Sequence, residues 1–150
     1  MEMITQEKVQ EMLDNHKLWL DDETGELSEA IYRADFSHLD LSGYNFTGLD
    51  LSYAKFNYAD LRGAIFAKTI LEKTEFSNTY LMGSSFHYAE LDKTNFVCAD
   101  LRSANFALAY IKSVNFEGAD LSNINMYHVD FDGTNIDKAI TNININNITK

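Results

Sequence analysis

The sequence predicts an all-β solenoid, a chain wound into stacked square coils, on three observations. A single apolar period of five residues runs from Phe36 to Ile136. Every one of the 10 phenylalanines falls on it. The residue two places before each of these centres is small through the middle of the array. A period of five fits neither the roughly 3.6-residue turn of an amphipathic helix nor the alternation of a flat strand, so each pentad is a short extended piece followed by a bend.

The centres alternate between phenylalanine and leucine, a pattern that repeats every ten residues. A coil of four pentads therefore stacks like on like, whereas a coil of three would mix the two in every column. On the four-faced register, face one stacks Phe36, Phe56, Phe76, Phe96, Phe116 and Ile136, and face three, opposite, stacks Phe46, Phe66, Phe86, Phe106 and Met126. Face two holds Leu41, Leu61, Leu81, Leu101 and Leu121, and face four holds Leu51, Leu71, Leu91, Ile111 and Phe131. Coils pair at about 4.8 Å, so about five of them make a rod on the order of 24 Å long. Each buried centre contributes roughly 1.5–3 kcal/mol, a large core for a chain of this size. The preceding small residues, Ala54, Ala59, Ala64, Thr69, Thr74 and Thr79 among them, are expected to point inward, where bulk would clash. Gly43, Gly63, Gly83, Ser103 and Asn123 align at the corner leaving face two, where a type II turn asks for positive φ. That corner is expected to turn most regularly.

Segments such as Ala59-Asp60-Leu61-Arg62-Gly63, Ala99-Asp100-Leu101-Arg102-Ser103 and Ala119-Asp120-Leu121-Ser122-Asn123 resemble the A-(D/N)-L-x-x consensus of the pentapeptide-repeat family, over roughly residues 34 to 139. The resemblance, to a bacterial or phage-like member, implies a right-handed quadrilateral parallel β-helix. It also implies that the centre and the residue two before it lie inside and the other three outside.

The chain divides into a capping helix with an acidic loop over 1–30, the β-helix over 31–140, and a tail or capping strand over 141–150. An uncovered solenoid end exposes unpaired backbone groups, so caps are expected. Thr5 is a suitable N-cap for a helix whose apolar face is Val9, Met12, Leu13, His16, Trp19 and Leu20. Residues 13–20 are also similar to the lead-in helix of bacterial family members. The first-coil residues Leu39, Tyr44 and Leu49 are unusually large and are expected to pack against this helix. At the other end, the alternation from Thr141 to Ile148 suggests a strand that either folds over the last coil or pairs with a second molecule.

Composition narrows the function. The net charge of -11 disfavours direct nucleic-acid binding, which needs clustered Lys and Arg. Residues 1–30 carry nine acidic residues and two lysines, so much of that charge sits in the cap. No apolar run is long enough to span a bilayer, and the N-terminus lacks the plan of a signal peptide, which makes the cytoplasm the expected location. Catalysis has no support: His16, His38, His87 and His128 are dispersed, Cys98 has no dyad partner, and no nucleophile triad or phosphate loop is present. No metal or other cofactor is expected. The oxygens of Asp21 to Glu26 do not follow the EF-hand positions and read as a solvated loop.

The reading that remains is a non-enzymatic, rigid protein–protein interaction module. Of the fifteen outward positions on face three, Lys68 alone is charged. Ile65, Ala67, His87, Tyr88, Ala107, Leu108 and Tyr127 on that face, with Ile70 and Tyr110 round the corner, form the candidate interaction face for an unidentified protein partner. A homodimer through the C-terminal end or through this uncharged face is also left open. The family resemblance implies an alternative, a DNA-mimic inhibitor or protector of DNA gyrase like the quinolone-resistance pentapeptide proteins. The acidic columns Asp40, Asp60, Asp100, Asp120 and Asp50, Glu90, Asp130 favour it, while interleaved Arg62, Arg102, Lys73, Lys93 and Lys112 oppose it.

Overall fold

A computed structural model describes residues 2–141. Its backbone returns on itself every twenty residues. On face one the parallel bridges run from Asp35 to Lys55, Glu75, Asn95 and Asn115, and equivalent series start at Asp40, Asn45 and Asp50. On face four the upper rungs lengthen into strands β3 (Glu90–Asp92), β4 (Tyr110–Lys112) and β5 (Asp130–Asp132), which pair in parallel with the same register. The four-faced winding read from the Phe/Leu alternation is therefore the observed one.

The inside is filled as the pentad pattern requires. Phenylalanines of one column stack in parallel with their rings offset, as Phe66 and Phe86 do at 5.1 Å and 5°, and meet the opposite column edge-on, as Phe86 meets Phe96 at 5.5 Å and 88°. Both are arrangements that the ring quadrupole favours. The small residues are buried, and the threonines among them do more than fit. Thr69, Thr74, Thr79 and Thr94 each donate their hydroxyl to a carbonyl of the coil below, those of Phe46, Leu51, Phe56 and Leu71, at 2.7–2.9 Å. At the last rungs Phe131 and Ile136 are only partly buried. Ile136–Lys138 forms a 3₁₀ turn, so Ile136 does not extend face one as an ordinary pentad.

The expectation about turns needs correction. The corner leaving face two is not special: all twenty pentads from His38 to Gly133 place the residue two after the centre at positive φ. Most of these residues are not glycine; Tyr53 sits at φ 67 and Leu108 at φ 60. A left-handed residue costs roughly 1–2 kcal/mol, and two hydrogen bonds hold it in place. One closes the turn, as from Tyr44 N to Leu41 O at 3.0 Å. The other ties the corner N–H to the next coil, as from Tyr53 N to Glu72 O at 2.7 Å. Pairing between coils, not glycine, sets the corners.

The first coil is covered from the N-terminus. Strand β1 (Glu2–Met3) pairs in parallel with β2 (Leu39–Asp40), and helix α1 (Gln6–Leu20) follows, its N-cap Thr5 accepting from Lys8 N. Val9 and His16 are buried, and Ile4, Met12, Leu13, Leu39, Tyr44 and Leu49 pack around the same core. A four-residue helix α2 (Glu29–Tyr32) leads into the repeats. Between α1 and α2, Asp22 folds the acidic loop inward, accepting from Thr24 N, Thr24 Oγ1 and Leu27 N. The strand expected over 141–148 lies, beyond Thr141, outside the described residues.

Candidate protein-binding surface

Outward side chains stack in columns one rung apart, so a residue's surface neighbours are those twenty before and after it. On face three and its corner with face four, this register groups the apolar residues read from the sequence. Ile65 leads face three and Ile70 leads face four, separated from Tyr110 by Glu90 on the same column. Tyr88 and Leu108 occupy neighbouring rungs of the corner between them, and Tyr127 follows Ala107 on the wall. Tyr88, Tyr110 and Tyr127 are 50%, 49% and 65% exposed, and Ile65 and Ile70 are more than a third exposed. Ala107 does not belong to this surface: it is 7% exposed, closed into the wall beside His87, whose Nδ1 lies 2.8 Å from the Ala107 carbonyl. Ala67, His87 and Leu108 are half-buried. Aromatic rings project from a wall with one charged side chain, Lys68.

The charged columns behave differently from isolated acids. On face two, Arg62 forks onto Asp60 through Nε and Nη2, and Arg102 does the same to Asp100. The guanidinium hydrogen bonds hold both carboxyls below the ordinary aspartate range. The Asp60 side chain is 5% exposed, so this acid presents almost no charge to solvent. At the cap, Arg33 bridges Glu29 and Glu75 and donates to the Tyr53 carbonyl, pinning α2 to the coils as far as the third rung of face one. His16 lies at the same junction. Its Nδ1 accepts from Ala34 N at 3.1 Å, and burial lowers its pKa from the ordinary 6.5.

Among the described residues, no three His, Cys, Asp or Glu side chains converge as metal ligands, and no helix is long and apolar enough to cross a membrane. Cys98 is an exposed free thiol. Sequence reasoning passed over Tyr80 and Met82, which flank Leu81 on face two and are 48% and 42% exposed. Their signal was legible: they interrupt an Asp-Leu-Arg pattern that is present one coil below and one coil above.

The fold recurs in known proteins. The family model described as pentapeptide repeat region matches residues 51–126, and that of pentapeptide repeats in eight copies matches 32–67. A crystal structure of a pentapeptide repeat protein from the cyanobacterium Cyanothece 51142 aligns over 87% of this chain and 99% of its own, with 19% identity and a TM-score of 0.60. A pentapeptide repeat protein of the Arabidopsis thaliana thylakoid lumen is 31% identical over 78% of this chain and 72% of its own, with a TM-score of 0.32. QnrB1, a plasmid-mediated fluoroquinolone resistance protein, is 18% identical over 73% and 68%, with a TM-score of 0.47. No curated protein matches the sequence. Half of the chain lies within one family match, and the fold is the family's quadrilateral β-helix: this chain belongs to the pentapeptide repeat family.

Proposed function

We propose that this protein is a non-catalytic, rigid interaction module whose partner protein docks on face three and its corner with face four. The reading rests on one observation, the exposure of Ile65, Tyr88 and Tyr127 on face three, whose outward positions carry a single charge, Lys68, with the exposed Ile70 and Tyr110 round the corner on either side of Glu90. Aromatic anchors of this kind supply contact area with few rotamers to immobilise. The wall beneath them is already paired coil to coil, so binding orders little backbone and loses little conformational entropy. A five-coil rod with a helical cap would act as the scaffold for this surface. The exposed, unpaired Cys98 is in keeping with a reducing compartment such as the cytoplasm. The test compares Tyr88→Glu/Tyr110→Lys with the control Ser37→Glu/Glu117→Lys on face one, in affinity for proteins cross-linked to the wild type in its native host. A loss of at least tenfold confined to the first variant supports the reading, and equal retention by both sinks it.

The gyrase-directed alternative needs an acidic surface, and the forks of Arg62 and Arg102 neutralise the longest acidic column. A DNA gyrase supercoiling assay with and without a quinolone separates the two readings. Inhibition or drug protection at micromolar protein would install the mimic in place of the docking module.

A further inference from the structure

Face two carries a second apolar centre, in a setting unlike that of face three. Its leading column reads Asp40, Asp60, Tyr80, Asp100, Asp120, and its trailing column reads Ser42, Arg62, Met82, Arg102, Ser122. Tyr80 and Met82 therefore occupy the middle row, with an Asp–Arg fork in the row below and another in the row above. Each fork engages Nε and Nη2 of its arginine and leaves Nη1 uncommitted, on side chains 57% and 50% exposed. The two corners also differ in relief. The trailing one is bare at Gly43, Gly63 and Gly83, with open space where a side chain would project, whereas the leading one carries the half-exposed ring of Tyr58.

We infer that face two is self-complementary and binds a second copy of this chain, the two rods lying parallel about a twofold axis that runs along the rod. This rotation exchanges the two columns and keeps every row at its own height. Asp60 then faces Arg62 of the second copy, Asp100 faces Arg102, Tyr80 faces Met82, and the Tyr58 ring faces the bare corner at Gly63. A twofold axis set across the rod would instead bring row 60 against row 100. Aspartate would meet aspartate and arginine would meet arginine, a juxtaposition that like-charge repulsion disfavours. The charge pattern thus selects one arrangement. In it the free Nη1 of each arginine closes a ring of two aspartates and two arginines on either side of an apolar centre, a core within a polar rim. Row 100 makes the stronger ring, since the Asp100 side chain is 25% exposed while Asp60 is largely covered by its own arginine. Five rungs at about 4.8 Å and three outward residues per row give a backbone footprint of roughly 24 by 10 Å. That lies well below the roughly 800 Å² per partner of a standard interface, so the dimer is weak and depends on concentration.

Two charge variants test this in the full chain. Arg62→Asp/Arg102→Asp makes the face wholly acidic. Asp60→Asn/Asp100→Asn leaves rows 60 and 100 basic and retains the Oδ1 acceptor that both aspartates offer to the N–H two residues on. Sedimentation velocity over about 10 μM to 1 mM, the range expected of so small an interface, should show the wild-type mass rising from 17.1 kDa towards twice that value. Each variant alone should lose at least tenfold in association, with thermal melts verifying that it is folded, and an equimolar mixture of the two should recover it. Tyr88→Glu on face three should leave the dimer unchanged, which separates this inference from the docking surface proposed above. A wild type that stays monomeric throughout overturns the inference. So does self-association of the acidic variant at the wild-type level, or a mixture of folded variants that fails to recover.

Discussion

Ser84 and Thr94 hold equivalent inward positions, two before Phe86 and Phe96, and truncating each to alanine probes what those positions demand. Thr94 Oγ1 donates to the Leu71 carbonyl at 2.7 Å. The Ser84 hydroxyl is buried and has no hydrogen-bond partner among the described residues. A buried unsatisfied hydroxyl costs roughly 1–3 kcal/mol. Removing it loses the packing of one atom, worth less than about 1 kcal/mol. Its column neighbours, Ala64 and Ala104, show that alanine fits there. Ser84→Ala should therefore stabilise by about 1 kcal/mol. Thr94→Ala removes a hydrogen bond worth about 1 kcal/mol and a methyl group whose loss costs about as much again once the cavity is counted, a destabilisation of about 2 kcal/mol. For a chain of this length the melting temperature moves by about 2–4 °C per kcal/mol, so the two variants should shift in opposite directions. Urea denaturation followed by circular dichroism, with an unchanged m-value, measures both. A loss of more than about 1 kcal/mol in Ser84→Ala would show that the serine hydroxyl reaches a carbonyl as the threonines do, and the reasoning about inward polar positions would fail.

The cap and the corners give two further tests. His16 is a base whose pKa is lowered in the folded state, chiefly by burial, with Asp50 opposing that shift and Arg33 adding to it. Above the ordinary value of 6.5 it is neutral in both states and stability is level; as pH falls below 6.5 the unfolded chain takes up the proton first, and stability drops until the folded pKa is passed. Melting temperatures from pH 7.5 down to pH 5 should show this slope in the wild type, and His16→Gln should flatten it; an unchanged slope would place the titration elsewhere. At Gly63, φ is 68 and the space beyond is open, so only backbone strain opposes a side chain. Gly63→Val should cost about 1–2 kcal/mol and Gly63→Asn well under 1 kcal/mol, and equal losses in urea melts would refute the strain argument.

The coil and its four faces were legible because the determinants repeat. One apolar centre every five residues, with phenylalanine and leucine in alternation, permits one coil length, and errors at single positions such as Met126 do not blur it. The turn law was misread for the opposite reason. Glycine at Gly43, Gly63 and Gly83 was taken as the mark of a left-handed corner, but that conformation is enforced by hydrogen bonds to the next coil. Those bonds involve backbone alone and leave no trace in the identities of Tyr53 or Leu108. The inward threonines were read as small residues, and their bonds to carbonyls twenty-three residues earlier emerge only once the coils are stacked. On the surface, the burial of Ala107 depends on the His87 side chain one coil below, a contact that a list of outward positions does not contain.

The same division between repeated and singular positions bears on function. A solenoid of this kind fixes its fold with two residues in five and leaves three facing out, where a solvated wall has little reason to prefer one polar residue over another. Departures from that blandness are therefore informative in proportion to how far they break a local pattern. Tyr88, Tyr110 and Tyr127 are exposed rings on face three and its corner, and Tyr80 with Met82 breaks a column of Asp–Arg forks on face two. Neither group contributes to the core, and exposed apolar side chains at these places raise the risk of unwanted association. The two breaks also differ in kind. An uncharged wall with projecting rings places few electrostatic demands on whatever covers it, which suits a partner of another sequence. A centre bracketed by paired opposite charges is selective about orientation, and the arrangement with the twofold axis along the rod sets aspartate against arginine in the two rows that flank it. A rod that presents both can be paired through one wall and still bind through the other.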